Sequence, residues 1–292
     1  MLGNKLTQYL AARGHHVIGL TRNPDSVQRQ MADLCEWVRW PSAQSAIPPG
    51  TFDNVDTVIH LAGESVNGRW TQAKRKRILE SRQEGTRQVV EAIKGADKAP
   101  THLISASAIG YYGDRADTPL TENSERGSIF LSDVCAGWEN AALEARSDEV
   151  KVSILRTGLV LDPGGGALGE MMPLFRKGLG GKLGSGRQIW SWIHMEDWLR
   201  AVDFIQESKA DGPINLVGPA PVSQNEFAKT LASILKRPVF LPAPSFALRA
   251  VLGGFASEVL TSKNVIPKRL LDDGFTFQHP SLREALLQLL CS

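Results

Sequence analysis

Short apolar runs that alternate with longer stretches of helical spacing restrict the fold of this chain more than any other feature. Residues 2–13 put Leu2, Leu6, Tyr9 and Leu10 at helical spacing, and Gly14 stands where a left-handed residue closes a helix. Residues 16–21 (HVIGLT) then read as a strand, 56–62 (DTVIHLA) as a second, and about 71–94 as a long helix. Residues 102–106 (HLISA) give a third strand, 138–146 lie in another helix, and 150–155 (VKVSIL) give a fourth strand. A strand end and helix follow over 193–204, and 213–218 (PINLVG) form one more short strand. These strands are near-continuous apolar runs, the pattern of a parallel sheet buried on both faces. The expected fold is α/β, a doubly wound parallel sheet.

Beyond Leu161 the texture changes to a glycine-dense stretch, 162–186 (DPGGGALGEMMPLFRKGLGGKLGSG), too long for an ordinary connection. It is expected to be functional or to belong to a second lobe. Ser223 with Glu226 gives a capping-box signal for a helix running to Leu235, and the remainder reads as short helices broken by prolines. The expected division is a core of 1–163 and 193–220, with a small C-terminal substrate lobe of 164–192 and 221–292. No internal repeat or low-complexity linker interrupts it.

A chain of 292 residues with 42% hydrophobic content can bury a sizeable core. Its formal charge of +2 supplies no field to attract nucleic acid or an anionic membrane, so a small molecule is the expected partner, with self-association left open. Cys35, Cys135 and Cys291 are too few and too scattered for a disulfide framework or a CxxC metal site, so no metal is expected and a reducing compartment fits. The N-terminus has no apolar signal segment, and no run reaches the roughly 18 apolar residues of a membrane span. A cytoplasmic location is expected.

Doubly wound sheets bind ligands at the carboxyl ends of their strands. A dinucleotide lays its pyrophosphate on the first helix N-terminus and its adenosine ribose beside the end of the second strand. Here that strand ends in Thr21-Arg22-Asn23. An acidic residue would accept bonds from a free 2′-hydroxyl and repel a 2′-phosphate, whereas Arg22 offers a planar cation to phosphate, favouring NADP over NAD. The plainer reading of Arg22 is a solvated strand-end residue. The next sheet strand ends in His60-Leu61-Ala62-Gly63-Glu64, an apolar strand followed by small residues where backbone can approach a ligand, the plainer and compatible reading being a tight strand-to-loop turn. Lys74-Arg75-Lys76-Arg77 are consecutive on a helix, so they point around it and form no basic stripe. His194 in WIHMED invites a general-base reading, but a strand-end histidine before a helix start is more often structural.

The segments HLAGESV, RWTQAKRKRILESRQEGT, SASAIGYYGD, LRTGLVL, GLGGKLGSGRQIWSWIHMED and VIPKRLLDDGF, spread over nearly the whole chain, resemble the epimerase-family proteins of the atypical extended short-chain dehydrogenases/reductases. That group is sometimes labelled as nucleoside-diphosphate-sugar epimerases or cell-division inhibitors. The resemblance implies an NADP(H)-binding Rossmann-type core, with Thr21 and Arg22 at the adenosine 2′-phosphate. It also implies Leu61 and Ala62 along the cofactor, Arg82 from the SR pair on the following helix, and Val160 after the LRTG strand.

Two departures from that pattern stand out. Of the family's GxxGxxG turn only the last glycine, Gly3, is present, without the strand before it, so about ten further upstream residues of strand-then-GxxG kind are expected in the working form, the alternative being a truncated relative that closes the gap between strands and binds no dinucleotide. The family's YxxxK pair, a tyrosine acid/base whose pKa a lysine lowers, falls on Leu131 and Cys135. Leucine cannot titrate, and a lone helical cysteine is more often core packing than a nucleophile. Ser107, Tyr111 and Tyr112 in SASAIGYYGD follow a strand whose end faces the site. Ser107 and Tyr112 are the candidate catalytic residues, with pocket lining the alternative role for the tyrosine. The leading expectation is an NADP(H)-dependent oxidoreductase or epimerase acting on a nucleotide sugar or carbonyl compound. Its rivals are an NADP(H) sensor that has lost efficient chemistry and, from family labels alone, an interaction protein of cell division.

Overall fold

A computed structural model of the protein describes residues 1–25, 34–239 and 242–291. In chain order its elements are α1 (Leu2–Ala12), β1 (Ile18–Thr21), β2 (Glu36–Arg39), β3 (Thr57–His60), α2 (Gln72–Lys94), β4 (His102–Ala108), β5 (Pro119–Leu120), α3 (Phe130–Leu143) and β6 (Lys151–Thr157). There follow β7 (Leu159–Leu161), α4 (Gly166–Arg176), β8 (Ile189–Trp190), β9 (Trp192–His194), α5 (Met195–Ser208), β10 (Gly212–Leu216), β11 (Val222–Ser223) and α6 (Gln224–Ile234). The chain ends in α7 (Ser245–Leu252), α8 (Ala256–Leu260), β12 (Asn264–Val265), α9 (Lys268–Asp272) and α10 (Leu282–Cys291).

Four strands form one all-parallel sheet in the order β10-β6-β4-β3. β1 and β2 pair in parallel as a sheet of their own, with Thr21 opposite Arg39. Helices cover both faces, as the apolar runs require. On one face Leu6 and Leu10 of α1 and Trp198, Ala201, Val202 and Ile205 of α5 pack against Ile104, Leu155, Ile214 and Leu216. On the other, Val89, Val90 and Ile93 of α2 and Ala142 of α3 pack against Val58, Leu103, Val152 and Ile154.

Most expected elements form within a few residues of their sequence limits. Thr71 caps α2, its side-chain oxygen accepting the Lys74 N–H at 3.2 Å, and Ser223 caps α6, accepting from the Glu226 N–H at 3.1 Å. Others differ. β2 and the short strands β5, β7, β8, β11 and β12 lie where no strand is expected from the sequence, and the helix expected at 138–146 begins earlier, at Phe130. The glycine-dense stretch contains α4. Its Leu168, Met172 and Phe175 join Phe227, Leu231, Ala285 and Leu286 in a third cluster. Part of the expected lobe packs elsewhere, because Leu270 and Phe275 belong to the cluster under the main sheet and β12 pairs with β5. Backbone approaches backbone where β6 passes into β7. The Leu159 N–H donates to the Ser191 carbonyl at 2.9 Å, and a Cβ on Gly158 would come within 2.5 Å of that oxygen, so only glycine fits.

Candidate functional site

The carboxyl ends of β1, β2 and β3 bring several sequence-selected residues to one edge. Arg22 directly follows β1 and Arg39 ends β2, opposite Thr21 in the register. Arg22, Asn23, Pro24, Asp25 and Arg39 line one concavity of about 530 Å³. Both arginines are exposed, and neither forms an ion pair among the described residues. Arg39 escapes sequence reasoning because its strand is not legible there. Two guanidiniums beside one hollow could hold a phosphate, with the Asp25 carboxylate on the same rim.

Gly3, Asn4 and Thr7, in the first turns of α1, share a second cavity of about 670 Å³ with Thr21, Leu61 and Ala62. No side chain caps the N-terminus of α1, so its leading N–H groups carry the partial positive charge that suits an anion. Val160, on β7, is buried in the cluster that holds Leu6 and Leu10.

Arg82 projects from α2 toward the same edge. Its Nη1 donates to the carbonyls of Glu64 (3.0 Å) and Ile78 (3.1 Å), and its guanidinium lies 4.8 Å from the Trp138 ring centroid. Burial lowers its pKa, and among the described residues it has no carboxylate partner within ion-pair distance. Glu64 is instead engaged by Lys74 at 2.8 Å and Arg77 at 3.6 Å, and Lys76 pairs with Glu80, so the basic run spreads around α2 as its spacing requires.

The candidate catalytic residues lie deeper. Tyr112, expected near the substrate, is instead wholly buried. Its hydroxyl donates to Asn215 Oδ1 at 2.7 Å and accepts from Arg156 Nη1 at 3.0 Å, and burial pushes its pKa up to about 12. Ser107 is also buried and donates to Glu139 Oε1 at 2.6 Å. Glu139 holds Arg156 through two bonds, from Nε at 3.0 Å and Nη2 at 2.8 Å. Burial works against the charge of Arg156, but these bonds more than offset it and hold the guanidinium ionised. Arg156 also lies 3.6 Å from the ring centroid of the half-buried Tyr111. Sequence reasoning missed this pair, although an arginine inside the apolar run of β6 is a usable signal that a buried carboxylate must face it.

Leu131 and Cys135 sit side by side on α3, both buried, and burial pushes the Cys135 thiol up to about 12. His194 caps α5: its Nδ1 accepts the Glu196 N–H at 3.1 Å, its Nε2 bonds Gln288 at 2.9 Å, and its ring stacks on His279 at 3.8 Å. Both ring nitrogens are thereby occupied, which fits the structural reading.

A parallel sheet with helices on both faces, an uncapped first helix and basic residues at its carboxyl edge defines a doubly wound α/β protein of the Rossmann type. The model of the NAD dependent epimerase/dehydratase family matches residues 1–218, and the chain belongs to that family. A domain of unknown function, DUF1731, matches residues 243–289. An epimerase family protein of Mycobacterium bovis is 38% identical over 98% of this chain and 93% of its own length. The chloroplastic SDR39U1 homolog of Arabidopsis thaliana is 36% identical over 98% of this chain and 82% of its own. The crystal structure of human epimerase family protein SDR39U1 with NADPH is 33% identical, with a TM-score of 0.89, and the match covers 99% of this chain and 95% of that one. MoeE5 in complex with UDP-glucuronic acid and NAD, at 24% identity and a TM-score of 0.76, shares the fold. Among the described residues no helix is long and apolar enough to cross a membrane.

Proposed function

We propose that this chain binds NADP(H) and acts as an oxidoreductase or epimerase on a small carbonyl compound or nucleotide sugar. The observation that carries the cofactor reading is the pairing of Arg22 with Arg39 at the ends of neighbouring parallel strands. That pair supplies charge-assisted bonds for a 2′-phosphate, and the NADPH named with the human relative supports the same choice. The residues present fit the group: the leading N–H groups of α1 have no side-chain cap, and the small Ala62 and Gly63 follow β3. Thr21, Arg22 and Arg39 would hold the adenosine end, Gly3 the pyrophosphate, and Leu61, Ala62, Arg82 and Val160 the remainder. When bound, the nicotinamide supplies hydride transfer. The substrate is assigned to the space between the sheet's carboxyl edge and the smaller lobe, over which the Trp138-stacked Arg82 would orient an anionic or polar group.

A sensor that keeps the cofactor without efficient chemistry is the second reading. It is favoured by the enclosed hydroxyl of Tyr112 and by the absence of a titratable acid/base pair at Leu131 and Cys135. In either case Ser107 and Tyr112 serve as positioning residues, holding Glu139 and Arg156 and, through Arg156, the Tyr111 ring. Titration of NADPH and NADH tests the cofactor assignment, and equal affinities overturn it. Turnover of NADPH against carbonyl compounds and nucleotide sugars separates the readings: consumption that depends on one substrate supports the enzyme, and none across the panel supports the sensor.

A further inference from the structure

The small net charge of the chain conceals a strong separation of charge. Residues 171–195 and 227–257 hold eight of the 33 lysines and arginines and none of the 31 aspartates and glutamates, which leaves 25 cations against 31 acids elsewhere. The two stretches are neighbours in space. A Cβ on Gly178 would lie 3.6 Å from the Pro238 ring, and Ala243 donates its N–H to the Lys182 carbonyl and accepts from the Gly184 N–H, both at 2.8 Å. The end of α4, with Arg176 and Lys177, thereby adjoins the end of α6, with Lys236 and Arg237, and Lys182 adjoins the start of α7. None of these side chains forms an ion pair among the described residues. Two acids that border the runs are engaged elsewhere, Glu196 with His279 at 2.8 Å and Glu258 with Lys263 at 3.1 Å.

The same region exposes large apolar side chains. Leu174 and Leu179 stand at the turn that ends α4, where the Leu179 N–H donates to the Leu174 carbonyl at 2.9 Å, and both are exposed. α7 buries none of its eight residues, and its outward positions are Phe246, Arg249, Ala250 and Val251, with Phe246 76% and Val251 73% exposed. Cations are favoured at helix C-termini, which accounts for Arg176, Lys177, Lys236 and Arg237 one by one. It does not account for apolar side chains that stand out of the same surface.

We infer that this face of the protein lies on an anionic lipid surface, with Phe246, Val251, Leu174 and Leu179 entering the headgroup boundary and the cations around them meeting lipid phosphates. Its shape selects a bilayer over a protein. The apolar side chains project from two separate elements, and a bilayer takes such projections without a matching surface, whereas a protein partner needs shape complementarity. Three of the four are aliphatic and offer no ring on which a base could stack, which disfavours nucleic acid. Contact is with the surface alone, since no described helix is long and apolar enough to cross a membrane. The inference stands apart from the cofactor and substrate assignments, in which none of these residues takes part.

The test is sedimentation of the intact protein with vesicles of equal parts phosphatidylglycerol and phosphatidylcholine, and with vesicles of phosphatidylcholine alone. Binding is expected to the mixed vesicles, weakening as salt screens the charges, and not to phosphatidylcholine. A basic residue near such a surface is worth about fivefold in affinity, so Lys177→Gln with Arg249→Gln is expected to weaken binding about 25-fold. Phe246→Ser with Val251→Ser is expected to weaken it about tenfold or more. Lys76→Gln with Lys268→Gln, two exposed cations outside this face that pair with Glu80 and Asp272, leaves binding unchanged. All three variants alter exposed side chains, so their thermal midpoints stay near the wild-type value. No binding to the mixed vesicles at low salt, equal binding to phosphatidylcholine, or an equal loss in the Lys76 and Lys268 variant overturns the inference. Retention on immobilised polyglutamate without vesicle binding also overturns it, in favour of an acidic protein as partner.

Discussion

Arg22 and Arg39 line one hollow because their strands are parallel neighbours with Thr21 opposite Arg39, although 17 positions of sequence separate them. A 2′-phosphate held by Arg22 gains charge-assisted bonds worth about 1.5–3 kcal/mol, so Arg22→Asp is expected to weaken NADPH about tenfold or more and to leave NADH nearly unchanged. Calorimetric titration of both nucleotides against both proteins measures this, and an unaltered NADPH/NADH ratio would refute the assignment. Cys135 represents the opposite kind of residue. It is enclosed beside Leu131, its thiol is pushed up to about 12 by burial, and little thiolate exists at neutral pH to attack anything. Cys135→Ser is expected to retain NADPH affinity and any turnover, at a modest cost in stability from placing a hydroxyl in an apolar site. Loss of turnover with fold and affinity intact would make the thiol a chemical participant.

At the scale of elements, legibility followed burial. Strands β3, β4, β6 and β10 are sheet strands whose interior positions are apolar, so their runs stand out in the sequence. β2 has Glu36 and Arg39 at its two ends, both exposed, and only two half-buried residues between them, so nothing in EWVR announces a strand. Arg39 was hidden with it. The capping residues Thr71 and Ser223 were readable because a local side-chain bond needs no tertiary partner, whereas the Glu139–Arg156 pair joins α3 to β6 and depends on how they dock. Two strand histidines give the sheet a pH dependence. His60 ends β3 and pairs with Thr86 at 3.1 Å, His102 opens β4 and pairs with Ser153 at 2.8 Å, and burial lowers each pKa to about 4. Both stay neutral in the folded protein at pH values where the unfolded chain, near 6.5, takes up protons. Their contribution is therefore present above about pH 6.5, and stability falls as pH drops toward 4, by about 1.4 kcal/mol per pH unit for each histidine in that interval. Urea midpoints of the wild type and of His60→Gln across this range measure the effect. An equal acid loss in both proteins would remove His60 from the account.

Across the whole molecule, cohesion is uneven because the two sheets have different numbers of covered edges. β4 and β6 have a partner strand on each side and apolar clusters on both faces, so their amides open only with the whole fold. Among the described residues β1 pairs with β2 alone and borders the cavity beside α1 on its other edge, and all four of its residues are only partly buried. The β1–β2 pair is held to the rest by α1 and by side chains such as Val17 and Leu20, which lie at the margins of the two main clusters. Native-state hydrogen exchange is expected to show Gly19, whose amide faces β2, exchanging through local opening at a free energy well below that of Ile104 and Ile154. The difference should persist at all denaturant concentrations below the global transition, where local opening has little dependence on denaturant and global opening has a steep one. If Gly19 instead exchanges as slowly as Ile154 and with the same steep dependence, β1–β2 unfolds as one unit with the four-stranded sheet. The cavity between them would then cost the molecule no cooperativity.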